Sequence, residues 1–321
     1  MPIPDYQYSV DQCDVPEIRR AVLAEYRAFR RKCLGYLRGD SQSSVMNQVY
    51  HLAWQTAVFR TLNEARRLEP DRVVNGAMWD LVSEGYANIM TLGIRRLVDD
   101  DPRTDSVWNV ISHVERRPEL LRRENFICFD GLPYDYSKVS HTRVRSTDFS
   151  SGRVSFVPTS GPEAWGASRL MHEAFDALAG YPARRRRLDT VQPGIIGALK
   201  GKLSHESVRA VKAMADRVVA HAERIEANDV LPVVTYETID TALRHVVGAA
   251  SFLSSHFFYD TAFGSVVPVP QFNVLEALDQ PWVTTENLPA LHEHWHGISD
   301  AMAEWVSGDD ADILPSRPSA V

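Results

Sequence analysis

Residues 204–225 read SHESVRAVKAMADRVVAHAERI and residues 235–257 read TYETIDTALRHVVGAASFLSSHF; these two stretches decide the fold. In the first, Val208, Val211, Ala215, Val218, Ala222 and Ile225 recur at spacings of three and four, which lines up one apolar seam on a helix. Ser204 stands at the N-cap position and Pro232 stops the chain. In the second, Ile239, Leu243, Val246, Ala250, Leu253 and Phe257 repeat the seam. Thr235 caps it, and Glu237 and Asp240 favour the positive end of the helix dipole. Two helices with matching seams predict an antiparallel pair.

The same periodicity extends in both directions. Ile18, Val22, Tyr26, Phe29 and Cys33 predict a helix over about Val15 to Leu37. Val45, Val49, Leu52, Thr56, Phe59 and Leu62 predict a second, ending near Pro70. A third, from about Val74 to Val98, places Met78, Val82, Tyr86, Ile89, Gly93 and Leu97 on one face, with Gly93 letting a neighbour approach. After Asp99-Asp-Asp-Pro102 a short helix spans about Asp105 to Arg116. Helical patterning resumes near Pro162 and stops at Gly180-Tyr-Pro182, and a segment punctuated by Pro193, Gly194, Gly197 and Gly201 reads as a break. Leu288, Leu291, Trp295, Ile298, Met302 and Trp305 form a last seam, with a mobile tail expected after Ser307. Trp54, Trp79, Trp108, Trp165 and Trp305 fall at helical spacings and read as core.

Residues 125–160 differ, because Gly131, Pro133, Gly152 and Pro158 leave room only for a hairpin using Arg143, Val144, Val154, Phe156 and Val157. The expected architecture is all-α: an antiparallel helical bundle with a mostly irregular insertion and an extra C-terminal helix. Its divisions are 1–124 for the first helices, 125–160 for the insertion or lid, 161–262 for the paired helices, and 263–321 for the last helix and tail.

In 321 residues, 44% hydrophobic and 24% charged content supplies a full core, and a net charge of -7 excludes a surface that is basic throughout. Cys13, Cys33 and Cys128 lack C-x-x-C spacing and read as reduced thiols. The opening MPIPDYQYSVDQCD resembles no secretory or transit signal, and no apolar run is long enough to span a bilayer, so a cytoplasmic chain without membrane contact is expected. Phosphate-loop, dinucleotide-fold and nucleophile-elbow motifs are absent from the sequence, and no cofactor is expected.

Tyr86 to Asp99, followed by Thr104 to Trp108, resembles a helix of the HEPN-like domains in bacterial abortive-infection proteins of the AbiU type, where an arginine and leucine followed by an aspartate precede a short helix. Ala215 to Arg224 resembles that group's motif helix, written as arginine, a polar residue and a histidine four to six residues on. The resemblance covers about two thirds of the chain and implies a HEPN-like bundle, homodimeric, from a bacterial defence or toxin–antitoxin setting. RNA and an antitoxin or other protein are its implied partners. The implied activity is metal-independent RNA cleavage, with histidine moving a proton and arginine offsetting phosphorane charge.

Transferred by position, His221 is the acid/base, Asp216 the polar residue, and Ala215 stands where the arginine is usual. Arg217, one helical turn before His221, is left to stabilise phosphate, with Lys212 and Arg224 a further turn away on either side. Arg184, Arg185, Arg186 and Arg187 form the densest basic run and, with Arg96, are candidate RNA contacts. An Arg-x-x-x-His pair beside an apolar seam also occurs on ordinary helices, and Arg95 with Asp99 also reads as an ion pair closing its helix. One alternative is therefore an inert HEPN-like module that binds RNA, a nucleotide or a protein. Another is a zinc hydrolase, since His292, Glu293 and His296 match H-E-x-x-H, although no third ligand is evident.

Overall fold

The computed structural model describes residues 5–70, 76–141, 145–149, 152–220, 233–260, 264–276, 284–307 and 313–314. These form an all-α helical bundle. Its helices are α1 (Arg20–Arg38), α2 (Val45–Leu68), α3 (Gly76–Leu97), α4 (Val107–Arg116), α5 (Arg123–Cys128), α6 (Trp165–Leu178), α7 (Pro193–Leu203), α8 (Glu206–Met214), α9 (Tyr236–Phe252) and α10 (Leu288–Ser307). An antiparallel hairpin, β1 (Arg145–Phe149) with β2 (Gly152–Phe156), pairs Phe149 with Gly152 and carries Val154 and Phe156 as expected. Arg143 and Val144 lie outside the described residues, and Val157 is exposed just past β2.

The central element is α9, against which α3, α4, α7, α8 and α10 all pack. Thr235 caps it: its hydroxyl accepts the Thr238 N–H at 3.1 Å. All six seam residues from Ile239 to Phe257 are buried. Being enclosed by five neighbours, α9 buries more than one stripe, and Ala242, Val247, Ala249 and Phe252 are inside as well. Its last turn widens into a π-turn over Leu253–Phe257, and α8 likewise continues as a π-turn over Ala215–Ala220. α10 buries Leu291, Trp295, Ile298, Met302 and Trp305 against α2 and α9. Trp54 of α2 meets Trp295 edge-on at 5.5 Å between ring centres.

Several expectations are corrected. Ile18 is 87% exposed, because Glu17–Arg19 form a 3-10 turn that rotates it off the α1 stripe, which begins at Leu23. Helix α3 buries Trp79, Tyr86, Met90, Ile94 and Leu97, so Ile89 faces solvent; packing on α2, α8 and α9 turns the helix toward its wider apolar arc. The Pro193–Gly201 break is in fact α7. Pro193 occupies the first turn, Ile195, Leu199 and Leu203 go inside, and Gly194, Gly197 and Gly201 all fall on the solvent side. Each glycine costs about 1 kcal/mol of helix propensity, which burial of three aliphatic side chains outweighs.

Ser204 ends α7, and His205 is the residue that caps α8, its Nδ1 accepting the Ser207 N–H. The division at 124/125 falls inside α5, all six residues of which are buried; a helix that short carries no readable period. The tail is not free throughout, since Ile313 is buried in the core. Among the described residues no helix is long and apolar enough to cross a membrane, and the three cysteines are buried free thiols.

Gly93 has the role its position suggested: a Cβ there would overlap both methyl groups of Leu52, itself buried in α2. Gly93→Ala gains helix propensity yet should destabilise the protein by about 1–3 kcal/mol through overpacking, seen as a lowered urea midpoint with unchanged helicity.

Candidate functional site

The motif segment begins at the C-terminus of α8. Ala215, where the resembled motif has arginine, is fully buried, with the π-turn packed on α3. Asp216 accepts a hydrogen bond from Arg95 Nε at 2.8 Å, and Arg95 Nη1 reaches Asp99 at 2.6 Å. The Asp99 carbonyl accepts from Ser106 Oγ at 2.6 Å, the hydroxyl that caps α4. Asp216 thus ties the π-turn to the end of α3. This is the ion-pair role weighed for Arg95 and Asp99, extended across the bundle. Lys212 and Arg217 are half-exposed, while His221 and Arg224 lie outside the described residues. Arg96 is exposed and lines a cavity of about 240 Å³ on the α2 side with Gln48, His51 and Ile89.

The basic run is divided by the fold. Arg184 and Arg186 face solvent; Arg185 and Arg187 turn inward. Arg185 grips Asp176 through Nε at 3.0 Å and Nη2 at 2.6 Å and also bonds the Tyr136 hydroxyl. Arg187 pairs with Glu124 at 2.5 Å and Asp14 at 3.1 Å, and Glu124 also holds Arg19 at 2.6 Å. Half of the expected RNA-contacting run is therefore committed to internal ion pairs.

Beneath it lies Arg123, which is 0% exposed. A guanidinium at that depth is tolerable only with anions and acceptors around it. It reaches Asp176 at 2.8 Å, Asp189 at 3.0 Å and the His172 carbonyl at 3.1 Å. His172 is also buried, and its Nε2–H donates to the Tyr134 carbonyl at 2.8 Å, which leaves Nδ1 unprotonated in the neutral ring. Burial, reinforced by Arg123 and Arg185, pushes its pKa down to about 4. Over this layer opens a cleft of about 520 Å³, whose walls include Tyr136, Asp176, Tyr181, Arg184 and Arg185.

On α10, His292, Glu293 and His296 are exposed while Trp295 enters the core. Among the described residues no group of three histidine, cysteine or acidic side chains gathers to hold a metal ion.

Arg123, Asp176, Asp189, His172 and Tyr136 escaped the sequence reading, since they are scattered over 67 positions with no shared motif. The one available signal is the excess of acids at Asp176 and Asp189 on either side of the arginines. Comparison with protein-family models, with curated proteins and with solved structures found no match.

His172 makes stability depend on pH. Its folded pKa of about 4 lies below the usual histidine value near 6.5, so the unfolded chain binds the extra proton. The contribution is complete above about pH 6.5 and is lost as pH falls toward 4. Between pH 7.5 and 5 this residue should remove about 2 kcal/mol. Urea unfolding at the two pH values should find that loss reduced by about the same amount in His172→Gln.

Proposed function

We propose that this chain is a HEPN-like module of bacterial defence or toxin–antitoxin type that binds RNA without cleaving it. The observation that carries the reading is the burial of position 215. A phosphorane-stabilising cation must stand in an open crevice, whereas residue 215 faces the core and its neighbour Asp216 is consumed by Arg95. What the surface offers is positive charge: Arg184 and Arg186 outward from their loop, and Lys212 and Arg217 half-exposed on α8 and its π-turn. Contacts of that kind neutralise phosphates, position a strand and carry little sequence information. A homodimer and an antitoxin-like protein partner belong to the same proposal.

A second reading, the endoribonuclease with His221 as acid/base and Arg217 as phosphate stabiliser, is favoured by the π-turn at Ala215–Ala220. Such turns are rare and recur at functional sites. The zinc hydrolase has no comparable support and is not carried forward.

Fluorescence anisotropy with a labelled single-stranded RNA, read alongside a denaturing gel, separates the two. Binding should weaken with salt, its salt slope should fall by about one for each of Arg184→Gln and Arg186→Gln, and the RNA should stay intact. Cleavage abolished by His221→Ala or Arg217→Ala would replace the first reading with the second. No binding even at low salt would end both.

A further inference from the structure

We propose that the cleft over the arginine loop binds a nucleoside phosphate, its phosphate on Arg184 and its base against Tyr181. The cleft, about 520 Å³, falls in the range of small-ligand sites. Its chemistry is uneven in a useful way. Arg185 is committed to Asp176, which also holds Arg123, and it covers one face of Tyr136, 5.2 Å from the ring centre. Arg184 is exposed and makes no ion pair among the described residues, so it is the guanidinium left to receive an anion. The charged groups in the cleft wall are two guanidiniums, Arg184 and Arg185, and one carboxylate, Asp176, an excess of one positive charge that suits one phosphate.

Tyr181 supplies the second observation. Helix α6 stops in a Schellman arrangement, with Gly180 at φ 72° and the Tyr181 N–H donating to the Asp176 carbonyl at 2.7 Å. That stop requires only Gly180 to be left-handed. Tyr181 is left-handed as well, at φ 52°, which strains a residue with a Cβ. Strain of this kind collects where a side chain must be presented at a site, and here it places a tyrosine in the cleft wall next to Arg184. An aromatic ring beside an uncommitted guanidinium is the pairing that holds a base and its phosphate.

The site goes beyond the RNA reading and needs nothing from the π-turn. Titration with a mononucleotide reads it alone, so failure of RNA binding leaves it standing. The experiment is calorimetric titration of the full chain with adenosine 5′-monophosphate, adenosine, inorganic phosphate, and an oligoribonucleotide with and without a 5′-phosphate. The monophosphate should bind and raise the melting temperature, and Arg184→Ala should weaken it about tenfold. Tyr181→Gly should weaken it similarly with unchanged helicity, because glycine accepts the left-handed backbone and takes away only the ring. Tighter binding of the 5′-phosphorylated oligonucleotide would assign the end of an RNA chain as the source, and preference for the mononucleotide a free metabolite; both support the site. It is overturned if the monophosphate does not bind at up to about 5 mM, if adenosine or phosphate alone matches it, or if both variants bind like the wild type.

Discussion

Burying the Arg123 guanidinium is the constraint on which this half of the molecule depends. A charge removed from water so completely must find anions within the protein, and Asp176 from α6 and Asp189 from the arginine loop supply them. The same loop completes α5, because the Arg123 and Glu124 N–H groups donate to the Asp189 and Arg187 carbonyls at 2.9 and 3.0 Å. Helix α5 is too short to be stable alone and is held by these bonds at its start and by the core around its apolar residues. The arginine run takes its shape from this docking. Two of its side chains are drawn inward to Asp176 and Glu124, and the other two are left at the surface.

A second ionic junction joins α3 to the π-turn. Arg95 joins Asp99 on its own helix to Asp216 on the π-turn, so the segment that looks most like a catalytic motif is anchored by its polar residue. The functional consequence is the same in both places. Charged groups that look available along the chain are partly spent on joining elements, and the remainder, Arg184 and Arg186 among them, stay at the surface.

The legible helices are those whose burial follows a single seam. α2, α9 and α10 bury residues at the spacings that announced them, and Thr235 caps α9 as its position implied. Legibility failed where packing from several sides or very short length hid the period. α3 turned toward three neighbours, α5 has only six residues, and α7 was concealed by glycines that the fold places outside. Of the candidate site, the Arg95–Asp99 pair was readable from its spacing of four, and its extension to Asp216 was not. The partition of Arg184 to Arg187 and the buried histidine were not, because Arg187 turns in to Glu124 on α5, Arg185 to Asp176 on α6, and His172 to the Tyr134 carbonyl, pairings that only the packing of these elements creates.

Local order alone therefore determined that this protein is helical, where its longest helices lie, and which cations and histidines exist to do chemistry. Apolar periodicity is written within a few turns of one helix, and a chain cannot help displaying it. Tertiary structure alone decided which charges are free. Whether a guanidinium is a ligand for phosphate or a strut between helices depends on which carboxylate folding brings within about 3 Å of it, and that distance is set by the packing of the whole bundle.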